Sequence, residues 1–419
     1  MTWNQARKFS VSLLCAVSLF VMGCSSSAPG SVGPPPPPPP SGNNFATITV
    51  NGGPLASSGD PAQNTAYTSI TICVPGSTTQ CQTINNILVD TGSYGLRIQY
   101  SALTLSLPQQ TDSSGNAIVE CAEFGAGFTW GPVQTVDLTI GGETTSGADA
   151  TTGPLPIQVM GSPNFPDTDT DADACVEDSV TGVDLDSVDV MLANGILGVG
   201  VFAQDCPACA ISGASNPGLY YSCPTGSTCA ATTEPVASQV VNPVILFPTD
   251  NNGDIVELPS VTSASPTLTG YLIFGIGTET DNALGSATVY GVDPGTGNFS
   301  TTFEGFTYDD EAFIDLGSPA LYFNSSLSEC EDVALYCEDP SVALQATAIG
   351  ANNAQGTVNF SVGDADSLID SGDDALNGIA GPTGGNIFDW GMPFFFGVNV
   401  YTAINGQNTP AGAGPYWAF

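Results

Sequence analysis

The chain has 419 residues, of which 41 are acidic, three are cationic and none is histidine, so its formal net charge is −38. A surface of this charge repels nucleic acid and anionic lipid, and neither is expected as a partner. Catalytic triads that depend on histidine are excluded, and the single lysine, Lys8, lies near the N-terminus. Carboxylates remain for acid and base chemistry.

The first 24 residues have the pattern of an export signal. Residues 1–8 are positively charged, residues 11–22 are apolar, and Gly23-Cys24 follows. The apolar stretch is too short for a stable membrane span. The ending Val21-Met22-Gly23-Cys24 resembles a bacterial lipobox, which implies lipidation of Cys24 and anchoring to a membrane surface of the cell envelope. An ordinary signal peptide with a chance cysteine is the alternative.

Residues 25–43 are predicted to be a Ser/Pro-rich linker. Seven consecutive prolines at 34–40 favour polyproline II, which would give a semi-rigid spacer of roughly 20 Å. The remaining chain is long enough for one large domain or two similar ones.

Ten of the 12 cysteines follow the linker. In an exported chain this even number predicts disulfides. Close spacing favours two pairs, Cys73 with Cys81 and Cys330 with Cys337. A zinc site is an alternative, and its four ligands would be Cys206, Cys209, Cys223 and Cys229. The wide spacing between Cys223 and Cys229 and an oxidising compartment both disfavour it.

Short apolar runs separated by Gly, Pro, Asn or Asp fill most of the chain. Many alternate with a period of two, as in Thr47-Ile48-Thr49-Val50, and this pattern indicates strands. The sequence therefore predicts an all-β fold with few short helices. Only residues 321–347 show weak helical patterning.

Two segments carry an aspartate in matching positions, each between apolar runs. They are Asp90-Thr91-Gly92-Ser93 and Asp315-Leu316-Gly317-Ser318. An apolar run that ends on glycine follows each one later in the chain, at 194–200 and at 390–397. Aspartate before glycine is common in ordinary turns, so either segment alone predicts little.

The order of these motifs resembles that of pepsin-like aspartic proteases, and among them a group of bacterial exported lipoproteins. Residues 194–199 are similar to the family's Asp-Gly-Ile-Leu-Gly-Leu segment. Residues 124–131 resemble its flap hairpin, and 270–275 resemble the strand that opens its second lobe. The resemblance implies a bilobal double β-barrel with a central cleft. The N-terminal lobe would span 44–250, with acidic and Cys-rich insertions, and the C-terminal lobe 251–419.

The resemblance also implies a catalytic pair, Asp90 and Asp315. Two carboxyl groups about 3 Å apart share one proton, so one can activate water while the other donates to a peptide carbonyl. No cofactor is needed, and the substrate would be a peptide or protein. The supporting residues would be Thr91, Gly92, Ser93, Gly317 and Ser318. The flap would carry Phe124, Gly125, Gly127 and Trp130.

Two positions depart from the family pattern. Leu316 replaces a Thr or Ser that bonds between the lobes, and Phe124 replaces a tyrosine, for which Trp130 or Tyr94 would have to compensate. An inactive surface lipoprotein that binds a peptide or glycan in the cleft is therefore the alternative function. Asp370, in Asp370-Ser371-Gly372, is a rival second aspartate. We favour Asp315 because too little chain follows Asp370 to complete a lobe.

Two further features carry expectations. Arg97 is the only cation after the leader and is expected to pair with an acidic residue of its own lobe, with a substrate carboxylate as the alternative. The aspartates between 167 and 173 alternate with other residues at the spacing of a calcium-binding loop, but Ala172 occupies the position that requires glycine. A solvated acidic loop is therefore the alternative to a calcium site. A calcium-dependent surface module is a further alternative for the function. The five candidate calcium ligands are Asp167, Asp169, Asp171, Asp173 and Asp178.

Overall fold

The computed structural model describes residues 33–145, 153–166, 175, 182–213, 215–225 and 228–419. β-Strands far outnumber helices among these residues, which confirms the all-β prediction. The α-helices among them are short: α1 (Val188–Met191) and α2 (Ala365–Ile369). No helix in the described ranges is long and apolar enough to cross a membrane. Cys24 and the five candidate calcium ligands lie outside the described residues.

Eleven strands lie before residue 232 of the described chain. They are β1 (Phe45–Val50), β2 (Ala66–Cys73), β3 (Cys81–Asp90), β4 (Tyr94–Gln99), β5 (Ala117–Phe124), β6 (Gly127–Ile140), β7 (Glu143–Thr144), β8 (Leu155–Met160), β9 (Gly195–Val199), β10 (Tyr220–Cys223) and β11 (Ala230–Ala231).

Sixteen strands follow. They are β12 (Gly253–Glu257), β13 (Ala264–Ser265), β14 (Leu268–Phe274), β15 (Val289–Gly291), β16 (Phe299–Phe303), β17 (Phe306–Ile314), β18 (Leu321–Tyr322), β19 (Cys337–Ile349), β20 (Gln355–Asp364), β21 (Ala375–Leu376), β22 (Ala380–Gly381), β23 (Phe388–Trp390), β24 (Asn399–Ala403), β25 (Asn408–Thr409), β26 (Gly412–Ala413) and β27 (Tyr416–Ala418).

Six strands close into a barrel in the order β6-β8-β4-β9-β3-β2, because β6 also pairs with β2. In β3 the alternate residues Ile87 and Val89 are fully buried in the main core, and Ile84, 3% exposed, lies beyond a register shift in the pairing with β2. The period of two in the sequence therefore corresponds to one buried face. Closure holds the end of β3, and with it Asp90, in a rigid wall.

The sheet continues beyond the barrel through β1. This strand pairs with β14 along its whole length, from Phe45 opposite Ile273 to Val50 opposite Leu268. A second sheet has the order β20-β19-β16-β17-β23-β18-β22 and carries the Asp315 segment at the end of β17. The weak helical prediction for 321–347 is wrong, because β18 and most of β19 occupy that range.

Five disulfides link the ten cysteines after the linker. Cys73–Cys81 and Cys330–Cys337 are joined as predicted. The zinc alternative is wrong, because its four cysteines are oxidised in two pairs, Cys206–Cys209 and Cys223–Cys229. Cys121–Cys175 spans 54 residues and ties β5 to the predicted acidic insertion. Such bonds are typical of an oxidising compartment.

The described part of the linker has no regular secondary structure. It contacts the body of the protein at its end, where the Gly42 N–H donates to Asp281 Oδ2 at 2.6 Å.

Candidate active site

The two aspartate segments have the same local topology. β9 lies parallel to β3 and antiparallel to β4, so it is inserted between the strands on either side of the first segment. β23 lies in the same way parallel to β17 and antiparallel to β18, around the second. Each aspartate segment is therefore a loop that joins two strands, and a third strand lies between those two strands in the sheet. The apolar run predicted at 194–200 supplies β9, whereas the run predicted at 390–397 supplies only Trp390, the last residue of β23.

Glycine is required where each inserted strand passes its loop. A Cβ on Gly198 would lie 2.5 Å from the Tyr94 nitrogen, and one on Gly391 would lie 2.1 Å from the Ala320 oxygen. Both distances are far below normal contact, so a side chain at either position would push the loop away.

The loops bring Asp90 and Asp315 together. Their carboxyl groups are within hydrogen-bonding reach of each other, and the residues are 7% and 4% exposed. A Cβ on Gly92 would lie 2.7 Å from Asp315 Cγ, and one on Gly317 would lie 2.8 Å from Asp90 Oδ1. Glycine at both positions therefore permits the approach of the two acids.

The two carboxyl groups receive equivalent hydrogen bonds. The Gly92 N–H donates to Asp90 Oδ1 at 2.8 Å, and the Gly317 N–H donates to Asp315 Oδ1 at 2.8 Å. Ser93 Oγ lies 2.6 Å from Asp90 Oδ2, and Ser318 Oγ lies 2.8 Å from Asp315 Oδ2. One oxygen of each acid is thus held by a backbone amide and the other by a serine.

Burial is the main reason why the pKa of Asp90 is raised to about 7, and the negative charge of Asp315 adds to it. The bonds from Ser93 and Gly92 act in the opposite direction but are outweighed. Asp90 therefore keeps its proton to a higher pH than an ordinary aspartate does, as expected for carboxyl groups that cannot both ionise.

Thr91 connects the two loops beneath the acids. Its Oγ1 donates to the Ile314 carbonyl at 3.2 Å and accepts the Leu316 N–H at 2.9 Å. The Leu316 amide is therefore paired, although its side chain has no hydroxyl to bond back. That side chain is fully buried in the main hydrophobic core instead. Thr91 of the Asp90 loop therefore supplies the hydroxyl that connects the two loops, and Leu316 of the Asp315 loop supplies none in return.

We expect Thr91→Val to destabilise the protein by about 1–3 kcal/mol, because the buried Leu316 N–H loses its acceptor. Urea unfolding measures this change. Thr83→Val is the matched control, since Thr83 Oγ1 bonds Thr71 Oγ1 at an exposed site, 2.8 Å apart, and a change of no more than about 0.5 kcal/mol is expected there. Equal losses in the two variants would contradict a connecting role for Thr91.

A cavity of about 230 Å³ opens above the acids. The β5–β6 hairpin covers it with Phe124, Gly125 and Ala126, while Glu123 adds a carboxylate at the rim. The remaining wall is largely apolar and comes from Leu88, Val183, Leu185, Met191, Ile196 and Phe313. Sequence reasoning missed this wall, because its residues come from five separate segments.

Of the residues predicted for the flap, Phe124, Gly125 and Gly127 lie at the tip of the β5–β6 hairpin, and Trp130 lies farther along β6. Phe124 pairs with Gly127, where a Cβ would lie 2.1 Å from the Val183 carbonyl oxygen, so the hairpin tip packs tightly against that segment. Trp130 lies in a separate core against Tyr221, with ring centroids 5.0 Å apart. It therefore cannot supply the polar group that Phe124 lacks.

Tyr94 is the aromatic hydroxyl residue near the acids. Burial raises the pKa of Tyr94, and the charges of Asp90 and Asp315 raise it further. Its ring packs edge-on against Phe202, with centroids 5.4 Å apart. The phenol is thus kept neutral beside the acid pair.

Arg97 pairs with acidic residues, as predicted. Its guanidinium lies 2.7 Å from Glu120 and 3.1 Å from Asp205, and it also donates to the Tyr94 carbonyl. Its Cζ is 5.5 Å from the centre of the Phe124 ring. Arg97 is 2% exposed, so the alternative of a substrate contact is wrong.

The rival aspartate does not reach the site. Asp370 is exposed and caps the C-terminal end of α2. A different residue, Asp389, lies beside the acids instead: it is 2% exposed, and its Oδ2 is 2.7 Å from Ser318 Oγ. The available signal was an acid inside an otherwise apolar strand, Phe388-Asp389-Trp390, directly before the required Gly391.

Comparison with protein-family models gives a match over most of the chain. A family described as "Protein of unknown function (DUF3443)" matches residues 40–419. No curated protein matches the sequence. Because the match covers well over half of the chain and includes both aspartate segments, the protein belongs to the DUF3443 family.

Proposed function

We propose that the protein is an exported aspartic-type endopeptidase that hydrolyses peptide bonds with the Asp90–Asp315 pair and an activated water. The observation that carries this proposal is the meeting of the two buried carboxyl groups, each in a glycine loop, at the base of a covered cavity. The two acids lie 225 residues apart in the chain. A fold has little reason to bury two like charges together unless they act as a pair.

The chemistry follows from one shared proton. The charged carboxylate acts as general base on a bound water, and the protonated one donates to the substrate carbonyl. The β5–β6 hairpin covers the cavity and limits access of bulk water, while the apolar wall accommodates part of a peptide.

The pepsin-like resemblance belongs to the same proposal. Two loops of equal topology support two equivalent lobes, which we propose to be 44–250 and 251–419 with the cleft between them. The five disulfides support export. Lipidation at Cys24 would hold the enzyme at a membrane surface of the bacterial cell envelope.

Leu316 and Phe124 favour a second candidate function. Thr91 bonds to the Asp315 loop, but Leu316 has no hydroxyl to bond back. The hairpin tip carries Phe124 where pepsin-like proteases have a tyrosine. A surface lipoprotein that holds a peptide or glycan in the cleft without cleaving it fits these two residues.

Digestion of casein between about pH 3 and pH 7 separates the two functions. The protease proposal expects turnover that a statine-type transition-state analogue abolishes, because such a compound places its hydroxyl between the two acids. Binding of casein or the analogue without turnover at any pH would favour the second function, and turnover that resists the analogue would contradict the acid-pair mechanism.

A further inference from the structure

A second cavity of about 230 Å³ lies beside the one that the β5–β6 hairpin covers. Gly92 and Phe313 line both cavities, so the two are direct neighbours. A Cβ on Gly92 would lie 2.7 Å from Asp315 Cγ, and the shared wall is therefore in contact with the acid pair. A peptide bound across the two acids can thus place side chains in both cavities.

Strand β17 brings a carboxyl group to this second cavity. Beyond the register shift that precedes Ala312, the side chains of β17 alternate, and Ala312 and Ile314 are fully buried in the main core. Glu311 and Phe313 line the second cavity, while Phe313 and Asp315 line the first. Phe313 therefore lies between Glu311 and the acid pair on one face of the strand.

The second cavity, here called the Glu311 cavity, combines apolar walls with a single charged side chain. Its apolar lining includes Val201, Phe313, Ile387 and Trp417. Among the described residues that line it, Glu311 is the only acidic or basic side chain apart from the neutral phenol of Tyr94. The cavity therefore suits a side chain with an apolar stem and a cationic end.

Other polar groups of the wall are already engaged within the protein. Trp417 Nε1 donates to the Gly297 carbonyl at 3.3 Å, and Asn298 Nδ2 donates to the Asp310 carbonyl at 3.2 Å. Glu311 differs from them: it is exposed, and it forms no hydrogen bond or ion pair with the residues that the structure describes. Its carboxylate is available to a ligand.

The charge of the rest of the chain favours the same kind of ligand. After residue 8 the sequence contains one cation, Arg97, which is 2% exposed and pairs with Glu120 and Asp205. No exposed cation beyond the leader can therefore bind an anionic side chain of a substrate. Glu123 at the first cavity and Glu311 at the second add to a negative field, which attracts cations and repels anions.

We propose that Glu311 is a specificity-determining residue and that its cavity binds a lysine or arginine side chain of the substrate. The methylene stem packs against the apolar wall, and the Glu311 carboxylate binds the cationic end close to solvent. The inference rests on the proposed protease function and names its substrate class, which is peptides with a basic residue near the cleaved bond.

The test uses peptides of a single sequence that carry lysine, norleucine or glutamate at successive positions on either side of the cleaved bond. Norleucine keeps the methylene stem of lysine without its charge. We expect a position at which kcat/KM for the lysine peptide exceeds that for the norleucine peptide by roughly 3–10-fold, as for a charge-assisted contact near solvent. This preference should decrease as salt is added.

Glu311→Gln should remove the lysine preference, and Glu311→Lys should reverse it in favour of the glutamate peptide. Glu331→Gln is the matched control, because Glu331 is an exposed glutamate that lines neither cavity, and the preference should persist in it. Three results would overturn the proposal: no lysine preference in the parent, a preference that survives in Glu311→Gln, or an equal loss in Glu331→Gln, which would assign the preference to overall charge.

Equilibrium binding separates this inference from the protease function. The lysine and norleucine peptides are titrated into Asp90→Asn, which is not expected to cleave them, and into the double variant with Glu311→Gln. Tighter binding of the lysine peptide that disappears in the double variant supports the assignment of Glu311, even if the parent hydrolyses neither peptide and the protease function fails. Equal binding of the two peptides, with equal hydrolysis by the parent, would refute the assignment and leave the protease function intact.

Discussion

Asp90→Asn is expected to abolish peptide hydrolysis and to make the protein more resistant to unfolding at high pH. The amide cannot carry the proton that the mechanism moves, so the loss in kcat/KM should reach at least about 10²–10⁴-fold. The asparagine keeps the shape of a protonated aspartate, so the loops should stay folded. The two effects have different causes and can be measured independently.

The sign of the stability effect follows from the raised pKa. Folding raises the pKa of Asp90 from 3.8 to about 7. Its contribution is therefore fully present below about pH 4 and is lost as the pH rises through 7. Asparagine does not ionise and avoids this loss. At pH 8 the variant should exceed the parent by up to about 4 kcal/mol, since one pKa unit corresponds to about 1.4 kcal/mol.

Asp370→Asn is the matched control for both measurements. It makes the same chemical change within an Asp-Ser-Gly sequence, but the side chain is exposed at the end of α2. Neither hydrolysis nor the pH dependence of urea unfolding should change. An Asp90→Asn protein that still digests casein at the parental rate would end the proposed mechanism, and equal stability at pH 4 and pH 8 would contradict the shared proton.

Arg97→Met is expected to cause the largest loss of stability of any single change considered for this protein. The substitution leaves Glu120 and Asp205 buried without a cation, and breaking a buried ion pair in this way costs about 3–5 kcal/mol. Glu120 is 1% exposed, so water cannot replace the guanidinium. Chemical unfolding at pH 8 measures the loss.

The loss should be smaller at pH 4. Burial and the neighbouring Glu120 already raise the pKa of Asp205, whereas Arg97 lowers it. Without the guanidinium, Asp205 takes up a proton more readily, and a neutral acid is less costly to bury. The variant with three changes, Arg97→Met, Glu120→Gln and Asp205→Asn, removes the whole charged group and should recover part of the lost stability. A loss below about 1 kcal/mol at pH 8 would mean that the ion pairs of Arg97 contribute no more to stability than ordinary surface pairs do.

Arg97→Met should also impair hydrolysis under conditions where the protein remains folded. Glu120 lies on β5, which leads into the hairpin over the cavity, and the Phe124 ring stacks near the guanidinium. Arg97 thus connects the hairpin to the strand that follows the Asp90 loop. Thr91 has a comparable role at the acid pair, where its hydroxyl connects the Asp90 and Asp315 loops directly.

Local patterns in the sequence determined much of what is observed. The period of two predicted strands because a half-buried strand must alternate its faces. The two Asp-x-Gly-Ser segments were recognisable because a tight glycine turn after an apolar strand requires few residue types. Cys73–Cys81 and Cys330–Cys337 were predictable from separations of eight and seven residues.

Only the tertiary structure decided which distant groups meet. It brought Asp90 to Asp315, gave Arg97 its two acidic partners, and placed Trp130 in another core. It also made strands of residues 321–347 and joined Asp389 to the site through Ser318. The physical reason is that pairing and burial depend on contacts between residues far apart in the chain, which no local periodicity encodes.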